Sequence, residues 1–354
     1  METLFFPGYT AGPDAYEAVP QICGAYGKTA VIVGGMKSRA AAEEKIRAAC
    51  EGHIEILGSY WYGGEASFEN AEKLAAIPEV QKADMIFAVG GGRACDTTKW
   101  ASDLLGKPVF TFPTLASNCA GVTAVCVMYH PDHSFDVVKY RRRPVDHCFI
   151  QTQIIAESPR DYFWAGLGDA LSKQYEVPWC ARNYDLSYVE AIGVNNAKNV
   201  GAGLLKYGAE ALASVDKKEV TPALEYAAKN IIVSPGLASV CIPEDLDSTL
   251  AHAVYNAHTK TKHEGHHLHG AVVVYGLLLL LLVDGQEEEF KKVYDFCKAV
   301  NLPHRLADIG IDAAHPEELI SKTLLERDLK VGPYQITGEM IRSAIEKLES
   351  MYEG

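Results

Sequence analysis

Positive charge is scarce in this chain of 354 residues. Its 33 Lys and Arg are outnumbered by 46 Asp and Glu, which gives a formal net charge of −13 at pH 7. A protein with this excess of negative charge is a poor general binder of polyphosphates, so we do not expect nucleic acid as a partner.

The sequence also lacks a long hydrophobic run, a signal peptide and a cysteine framework. Its longest apolar stretch, residues 271–283, is shorter than the roughly 18 to 20 residues that cross a bilayer, so we predict a buried helix there and no membrane partner. The first residues contain no basic segment followed by an apolar one. The nine cysteines form no CxxC pair, which fits neither a disulfide scaffold nor a zinc knuckle and favours a cytoplasmic location.

Two patterns of apolar residues divide the sequence into two parts. Up to about residue 113, β-rich apolar runs such as TAVIVGG and DMIFAVGGG alternate with helical patterns, as in βαβ units of a parallel sheet. A hairpin pair follows, VTAVCVMY and FDVVKY, and a last extended run, HCFIQTQII, ends near Ala156. From Ser158 onward apolar residues recur at helical spacing. We therefore predict a Rossmann-like α/β nucleotide-binding domain over residues 1–156 and an all-α domain over 157–354, with the active site in the cleft between them.

The clearest signal in the α/β part is GGGRACDTTK, residues 90–99, where a predicted strand runs into a helix. Glycines permit positive φ angles and a close approach of the backbone, and the amides at the start of the helix offer an anion site. The segment is neither a GxGxxG fingerprint nor a Walker loop. A plain tight turn is the alternative, and the strand-to-helix context favours a phosphate cradle.

Histidine is concentrated in one window. Six of the twelve histidines lie in HAVYNAHTKTKHEGHHLH, residues 252–269. Imidazole is the commonest metal ligand among side chains, and a catalytic site needs about three protein ligands and an open position. Two of these histidines and one carboxylate from elsewhere would suffice. A polar surface loop is the alternative, which the apolar segment that follows disfavours.

A third candidate is the aspartate of GLGDAL, residues 166–171. Asp169 lies among glycine and apolar residues near the start of the helical part, where it could be a helix N-cap or a metal ligand. The residues alone leave both possibilities open.

In this order and at these separations, four segments resemble the glycerol dehydrogenase group of the iron-containing alcohol dehydrogenase superfamily. The family's GGGKxxDTAK is matched by GGGRACDTTK, its PTIAS by PTLAS at 113–117, its AGIGDAL by AGLGDAL at 165–171, and its AHAxHNG…HG by AHAVYNA…HG from residue 251. The likeness covers essentially the whole chain. It implies the dehydroquinate synthase-like, iron-containing alcohol dehydrogenase fold and a homo-oligomer.

The resemblance also implies two sets of site residues. Asp169, His252 and His269 become ligands of one divalent metal, with zinc expected ahead of iron. The dinucleotide is expected to lie against Gly90, Gly91, Gly92, Arg93, Ala94, Asp96, Thr114, Leu115, Ala116, Ser117, Thr123, Val125 and Tyr129. No proton donor can be assigned. Tyr255 stands where relatives often have an imidazole, so water, a ribose hydroxyl and His266 are the candidates.

One departure from the family concerns the substrate. Glycerol dehydrogenases have an aspartate in the segment that binds the polyol, whereas this chain has Cys119. Loss of that negative charge removes a repulsion of about 1 kcal/mol or more against an acidic substrate. With a cysteine at this position, the segment resembles that of bacterial hydroxycarboxylate dehydrogenases, which reduce small 2-oxo acids. A small buried filler residue is the alternative role for Cys119.

A second departure concerns the cofactor. After the first strand, where NAD-preferring relatives place an acid, this chain reads Gly34-Gly35-Met36-Lys37-Ser38-Arg39. A missing acid, with Lys37, Ser38 and an arginine in reach, would suit the 2′-phosphate of NADP. The alternative is that Lys37 and Arg39 are solvated charges on the first turn of a helix, with NAD as the cofactor.

We therefore expect a metal-dependent NAD(P)-linked oxidoreductase that interconverts a small 2-oxo acid and its 2-hydroxy acid. The nearest alternative is a glycerol or other polyol dehydrogenase that uses NAD. A more distant one is a cyclase or lyase of the dehydroquinate synthase type, for which the basic cluster at residues 139–143 could bind a phosphorylated substrate.

Overall fold

A computed structural model describes residues 3–351. It separates into two compact units. The first comprises the residues through Pro159 together with Ser214–Val240, and the second comprises Arg160–Ala213 and the residues from Cys241 onward.

The described strands are β1 (Gly8–Gly12), β2 (Thr29–Gly34), β3 (Glu55–Trp61), β4 (Met85–Gly90), β5 (Val109–Pro113), β6 (Val125–Tyr129), β7 (Phe135–Tyr140) and β8 (His147–Gln151). The helices up to residue 157 are α1 (Val19–Cys23), α2 (Met36–Cys50), α3 (Phe68–Ala75), α4 (Pro78–Lys82), α5 (Gly92–Leu105) and α6 (Thr152–Glu157). Those that follow are α7 (Arg160–Ala181), α8 (Tyr188–Ala197), α9 (Val200–Lys217), α10 (Pro222–Ile232), α11 (Ser234–Ser239), α12 (Leu250–His258), α13 (His269–Val283), α14 (Glu287–Val300), α15 (Glu317–Thr323) and α16 (Gly338–Ser350).

A six-stranded parallel sheet forms the centre of the first unit, in the order β1-β8-β5-β4-β2-β3. Every residue of β4 is buried, as expected for a strand covered on both faces. From β2 the chain passes to β3 on one side, and from β4 it passes to β5 on the other. The carboxyl ends of β2 and β4 therefore flank a topological switch point, where open α/β sheets bind their ligands. The predicted parallel sheet and the predicted hairpin, β6 with β7, are confirmed.

The structure departs from the sequence prediction at the end of the sheet. Extended structure was expected as far as Ala156, but β8 ends at Gln151 and α6 begins at Thr152. A short apolar run such as this one is compatible with a strand or a buried helix, so its periodicity could not separate the two.

The two units also differ from the predicted domains, 1–156 and 157–354, because Ser214–Val240 belongs to the first unit. The Thr152 hydroxyl donates to the Glu225 carboxylate at 3.2 Å, which joins α6 to α10. A Cβ on Gly236 would lie 2.1 Å from Cγ2 of Val122, so this glycine allows α11 to pack closely on the loop after β5. Helical spacing predicts that these segments are helices, but it does not reveal which neighbours they pack against.

In the second unit, α13 is the apolar helix that the sequence predicts. Residues 270–281 are all buried, so the expectation of a buried helix is confirmed. α13 packs against α7 and α12. Within residues 3–351, no helix is both long and apolar enough to cross a membrane.

Candidate metal centre and dinucleotide site

Asp169, His252 and His269 converge in the second unit. Asp169 lies in the middle of α7, His252 in the first turn of α12, and His269 is the first residue of α13. Nε2 of His269 is 3.0 Å from Oδ1 of Asp169, and Nε2 of His252 is 3.7 Å from the same oxygen. In the part of the chain that the structure describes, this is the one group of three or more potential ligands whose donor atoms lie within 4.8 Å of one another. The position of Asp169 inside a helix excludes the N-cap alternative.

Two glycines explain why these ligands can meet. A Cβ on Gly270 would lie 2.0 Å from the carbonyl oxygen of Ala165 and 2.8 Å from Cβ of Asp169. A Cβ on Gly168 would lie 2.4 Å from the carbonyl oxygen of Gly270. Only glycine at both positions lets α7 and α13 approach this closely. The Gly-Asp and His-Gly pairs of the sequence are therefore parts of one helix contact.

Sequence reasoning missed Glu176, which lies two turns after Asp169 on α7. Its carboxylate is fully buried and contacts Nδ1 of His252 at 2.6 Å. It also accepts the backbone amides of Thr249 at 2.8 Å and His252 at 3.2 Å. Burial opposes the charge of Glu176, but the His252 imidazole and these amides outweigh it and lower the pKa of this carboxyl. The available signal was a lone acid in an apolar helix, on the face that carries Asp169.

Glu176 fixes the orientation of a proposed ligand. A carboxylate at Nδ1 makes this nitrogen the proton donor and leaves Nε2 as the nitrogen that faces Asp169. Burial lowers the pKa of His252, but Glu176 and then Asp169 outweigh it and raise that pKa to about 9. Cation binding at Nε2 would therefore release a proton.

Replacement of Glu176 by Gln should weaken zinc binding by about 10-fold to 100-fold, because the amide cannot hold Nδ1 of His252 as a carboxylate does. The affinity is measured by competition with a chromophoric chelator, beside Glu288→Gln, which changes an exposed carboxylate of α14. Equal zinc affinities of a folded Glu176→Gln variant and the wild type would show that Glu176 does not support the ligand set.

The ligand chemistry fits a divalent metal. Two imidazoles and one carboxylate match the three-ligand sets of catalytic zinc sites, and iron accepts the same atoms.

Tyr255, which replaces the family's imidazole, packs edge-on against His269 with ring centroids 4.2 Å apart. His266 is an exposed residue of the loop between α12 and α13.

In the first unit, the glycine segment lies where β4 runs into α5, as predicted. Gly90 has a φ of 146°, and Gly91 caps α5 without a side chain. A Cβ on Gly91 would lie 3.0 Å from Cδ1 of Leu115, and one on Gly92 would lie 2.9 Å from Nδ2 of Asn118. Glycine at both positions leaves room for Leu115 and Asn118, and no side chain caps the first amides of α5, which fits a pyrophosphate group there.

The other residues expected around a dinucleotide have different surroundings. Arg93 pairs with the buried Glu65 at 3.2 Å and lies 6.0 Å from the ring centroid of Tyr129. The PTLAS segment follows β5, with Thr114 and Ala116 buried and Leu115 and Ser117 half-buried. Ala94 is buried in the first turn of α5.

Asp96 makes its contacts within the protein. Its carboxylate is buried, pairs with the ammonium of Lys99 at 2.8 Å and accepts the amide of Val127 at 3.2 Å. Lys99 also contacts the hydroxyl of Thr123 and the carbonyl oxygen of Val125. Asp96, Thr123 and Val125 therefore hold the loop before β6 against α5, and their contact with a dinucleotide stays a prediction from the resemblance.

The residues after β2 only partly match the expectation for a 2′-phosphate. Lys37 is exposed in the first turn of α2. The Ser38 hydroxyl donates to the carbonyl oxygen of Val89 at 2.9 Å. Arg39 reaches back along β3, where Nη1 donates to the hydroxyl of Ser59 at 2.9 Å. Of the three side chains, Lys37 is the one that extends into solvent.

Cys119 lies half-buried in the loop after β5. Its carbonyl oxygen accepts the amide of Val122 at 3.0 Å, and its Cβ would lie 3.6 Å from a Cβ added to Gly236.

The basic cluster at residues 139–143 is not an open pocket, because Arg141 is buried and donates to Ser102, while Arg143 pairs with Asp146 at 3.4 Å.

Comparisons with known proteins show what the chain is similar to. The sequence profile described as "Iron-containing alcohol dehydrogenase" matches residues 7–146. A glycerol dehydrogenase of Thermotoga maritima is 34% identical over 264 residues, which are 73% of this chain and 71% of that protein. Hydroxycarboxylate dehydrogenase A of Escherichia coli is 28% identical over 334 residues, which are 91% of this chain and 89% of that protein.

Solved structures share the fold. A probable glycerol dehydrogenase from Sinorhizobium meliloti 1021 superposes with a TM-score of 0.85 at 24% identity, over 100% of this chain and 99% of that one. Glycerol dehydrogenase from Schizosaccharomyces pombe gives a TM-score of 0.86 at 24% identity, over 100% and 92% of the two chains. The predicted fold class is confirmed.

Proposed function

The chain belongs to the iron-containing alcohol dehydrogenase family, and we propose that it oxidises glycerol or another small polyol with NAD(P) as the hydride acceptor. As a member of this family it is a metal-containing, nicotinamide-dependent dehydrogenase that acts on CH–OH donors. The identity of the alcohol is the proposal. The observation that carries it is the 34% identity with a glycerol dehydrogenase over 73% of this chain, and the set of Asp169, His252 and His269 suits a cation that binds alcohol oxygens.

In the reaction, a hydride leaves the carbinol carbon for the nicotinamide and the hydroxyl proton passes to solvent. A bound divalent cation would act as a Lewis acid on the substrate oxygen, and the dinucleotide would accept the hydride. Glu176 would orient His252, and the first amides of α5 would bind the pyrophosphate. Both zinc and iron suit these ligands. We propose zinc ahead of iron as the metal, because catalytic zinc sites commonly have a small mixed set of nitrogen and oxygen ligands.

The charges near the ligands support an uncharged substrate. Lys173 lies one turn after Asp169 on α7, and its ammonium is bonded to the Asp247 carboxylate at 2.8 Å. This cation is therefore engaged within the protein and is not offered to the carboxylate of a 2-oxo acid. A polyol has no carboxylate to pair with a cation.

A 2-oxo acid is the second candidate substrate, and Cys119 favours it. The cysteine brings no negative charge to the position where the resemblance expects an aspartate, so an acidic substrate would meet no repulsion there. The likeness to a hydroxycarboxylate dehydrogenase extends over 91% of the chain. A cyclase of the dehydroquinate synthase type has no comparable support, because two arginines of its expected basic cluster, Arg141 and Arg143, make internal contacts.

The two substrate classes are separated by following the absorbance of reduced nicotinamide. We expect NAD(P) reduction with glycerol that is lost with a chelator and restored by zinc. Oxidation of NAD(P)H by 2-oxobutanoate or 2-oxoglutarate, without any reaction of glycerol or related diols, would replace the polyol proposal by the second candidate. The expected homo-oligomer and cytoplasmic location stay predictions.

For the cofactor, we propose that NADP is accepted. Gly34 and Gly35 occupy the place where an acid would repel a 2′-phosphate, and Lys37 is exposed beside them. Replacement of Lys37 by Ala should raise the Kd for NADPH about 5-fold and leave the Kd for NADH unchanged, since one charge-assisted contact near the surface is lost. Both constants are measured by calorimetry, with Lys45→Ala on the exposed side of α2 as the control. Equal effects on both cofactors would rule out a specific contact between Lys37 and the 2′-phosphate.

A further inference from the structure

Two large apolar side chains lie exposed at the carboxyl edge of the parallel sheet. Trp61 is the last residue of β3 and pairs in register with Gly34, the last residue of β2. Its exposed fraction is 57%, and that of Met36, the first residue of α2, is 76%. Exposure of a tryptophan at a ligand-binding edge calls for an explanation, because stacking on this ring contributes strongly to binding.

Two glycine pairs lie next to these two residues, with Tyr62 between Trp61 and the second pair. Gly34 and Gly35 precede Met36, and Gly63 and Gly64 follow Trp61 with φ angles of 102° and 93°. A Cβ on Gly64 would lie 3.0 Å from Cζ2 of Trp61, so any other residue there would press on the indole. The glycines let the loop after β3 pass the indole while the ring stays exposed.

The sheet order relates this surface to the phosphate site. The pyrophosphate is expected at the start of α5, which follows β4, and β4 is bordered by β2 and then by β3. One half of a dinucleotide that spans the switch point therefore extends across the ends of β2 and β3. Gly34 ends β2 without a side chain, and a Cβ there would lie 2.3 Å from the carbonyl oxygen of Val89, so glycine is what lets the ends of β2 and β4 lie this close.

We propose that Trp61, flanked by Met36, is the surface on which the adenine ring of the dinucleotide stacks. This inference rests on the proposed function, because it needs an adenine dinucleotide to be the cofactor. Adenine has an extended π face that packs on tryptophan whatever the hydrogen bonds at its edge. The residue would therefore contribute to the binding of NAD and NADP alike.

Calorimetric binding of ADP, NADH and inorganic pyrophosphate tests the proposal. Replacement of Trp61 by Ala should raise the Kd for ADP and for NADH about ten-fold, the loss expected for one base–aromatic stack. Replacement by Phe should restore most of the affinity. The Kd for pyrophosphate should not change, since this anion has no base. Leu104→Ala, which removes an exposed apolar side chain from the last turn of α5, is the matched control.

Tryptophan fluorescence gives a second readout that needs no turnover. ADP should quench the emission of the wild type and should not quench that of Trp61→Phe, because the other three tryptophans, Trp100, Trp164 and Trp179, lie elsewhere in the fold. Wild-type binding of NADH and ADP together with an unchanged Kd in Trp61→Ala would overturn the adenine surface and leave the proposed function intact. Absence of NADH and ADP binding by the wild type would overturn both.

Discussion

Replacement of Asp169 by Asn should lower kcat/KM by at least about a thousand-fold and reduce the bound metal to a small fraction of one per chain. Asp169 is the one carboxylate among the three proposed ligands, and both histidines lie next to the same oxygen, at 3.0 and 3.7 Å. The amide keeps the shape of the side chain but removes the negative charge that binds the cation. Activity is followed by nicotinamide absorbance, and metal content by elemental analysis of dialysed protein.

The control for this variant is Asp161→Asn, which changes an exposed carboxylate in the first turn of the same helix. It should keep full activity and metal content. Thermal unfolding and circular dichroism should show that Asp169→Asn is folded. The Asp169 side chain is paired with imidazoles and is not enclosed in the apolar core. Full activity and metal content in a folded Asp169→Asn variant would mean that the metal lies elsewhere.

Replacement of Lys99 by Met should cost about 3 to 5 kcal/mol of the free energy of unfolding. Lys99 is fully buried, and its ammonium contacts Asp96, the carbonyl oxygen of Ala120 at 2.9 Å and the hydroxyl of Thr123 at 3.3 Å. Burial opposes the charge of Lys99, but the Asp96 carboxylate outweighs it and raises the pKa of this ammonium. Methionine fills the volume, yet it leaves the Asp96 charge buried without its partner.

Urea unfolding of Lys99→Met, Asp96→Asn and the double variant measures this pair. The double variant should be less destabilised than the sum of the single variants, because the second change removes the charge that the first leaves unpaired. Lys45→Met, at an exposed position of α2, should change the free energy of unfolding by less than about 0.5 kcal/mol. A loss below about 1 kcal/mol in Lys99→Met would contradict the structural role given to the Asp-Thr-Thr-Lys part of the glycine motif.

The elements that the sequence predicted best are those with a strong local signal. The glycine run after a buried strand predicted the junction of β4 and α5, and the structure confirms it. Apolar residues at nearly every position of 271–283 predicted a buried helix, and α13 is buried over residues 270–281. In both cases the pattern depends on a few adjacent residues and needs no knowledge of distant neighbours.

What the sequence could not predict depends on contacts between distant segments. The local pattern places Glu176 on the face of α7 that carries Asp169, but its role comes from His252 and the start of α12, more than seventy residues along the chain. Asp96 was expected near the dinucleotide because it belongs to the glycine motif, whereas its carboxylate points to Lys99. The association of Ser214–Val240 with the first unit likewise follows from packing and not from periodicity.

Metal-dependent oxidation of a CH–OH group is the central claim, and glycerol-dependent reduction of NAD and NADP is the measurement that tests it most directly. The protein is assayed as purified, after dialysis against a chelator, and after zinc or iron(II) is added back, with Asp169→Asn in parallel. We predict activity that disappears on chelation, returns with metal and is absent in Asp169→Asn. Nicotinamide reduction that persists at full rate without metal, and equally in Asp169→Asn, would contradict the account.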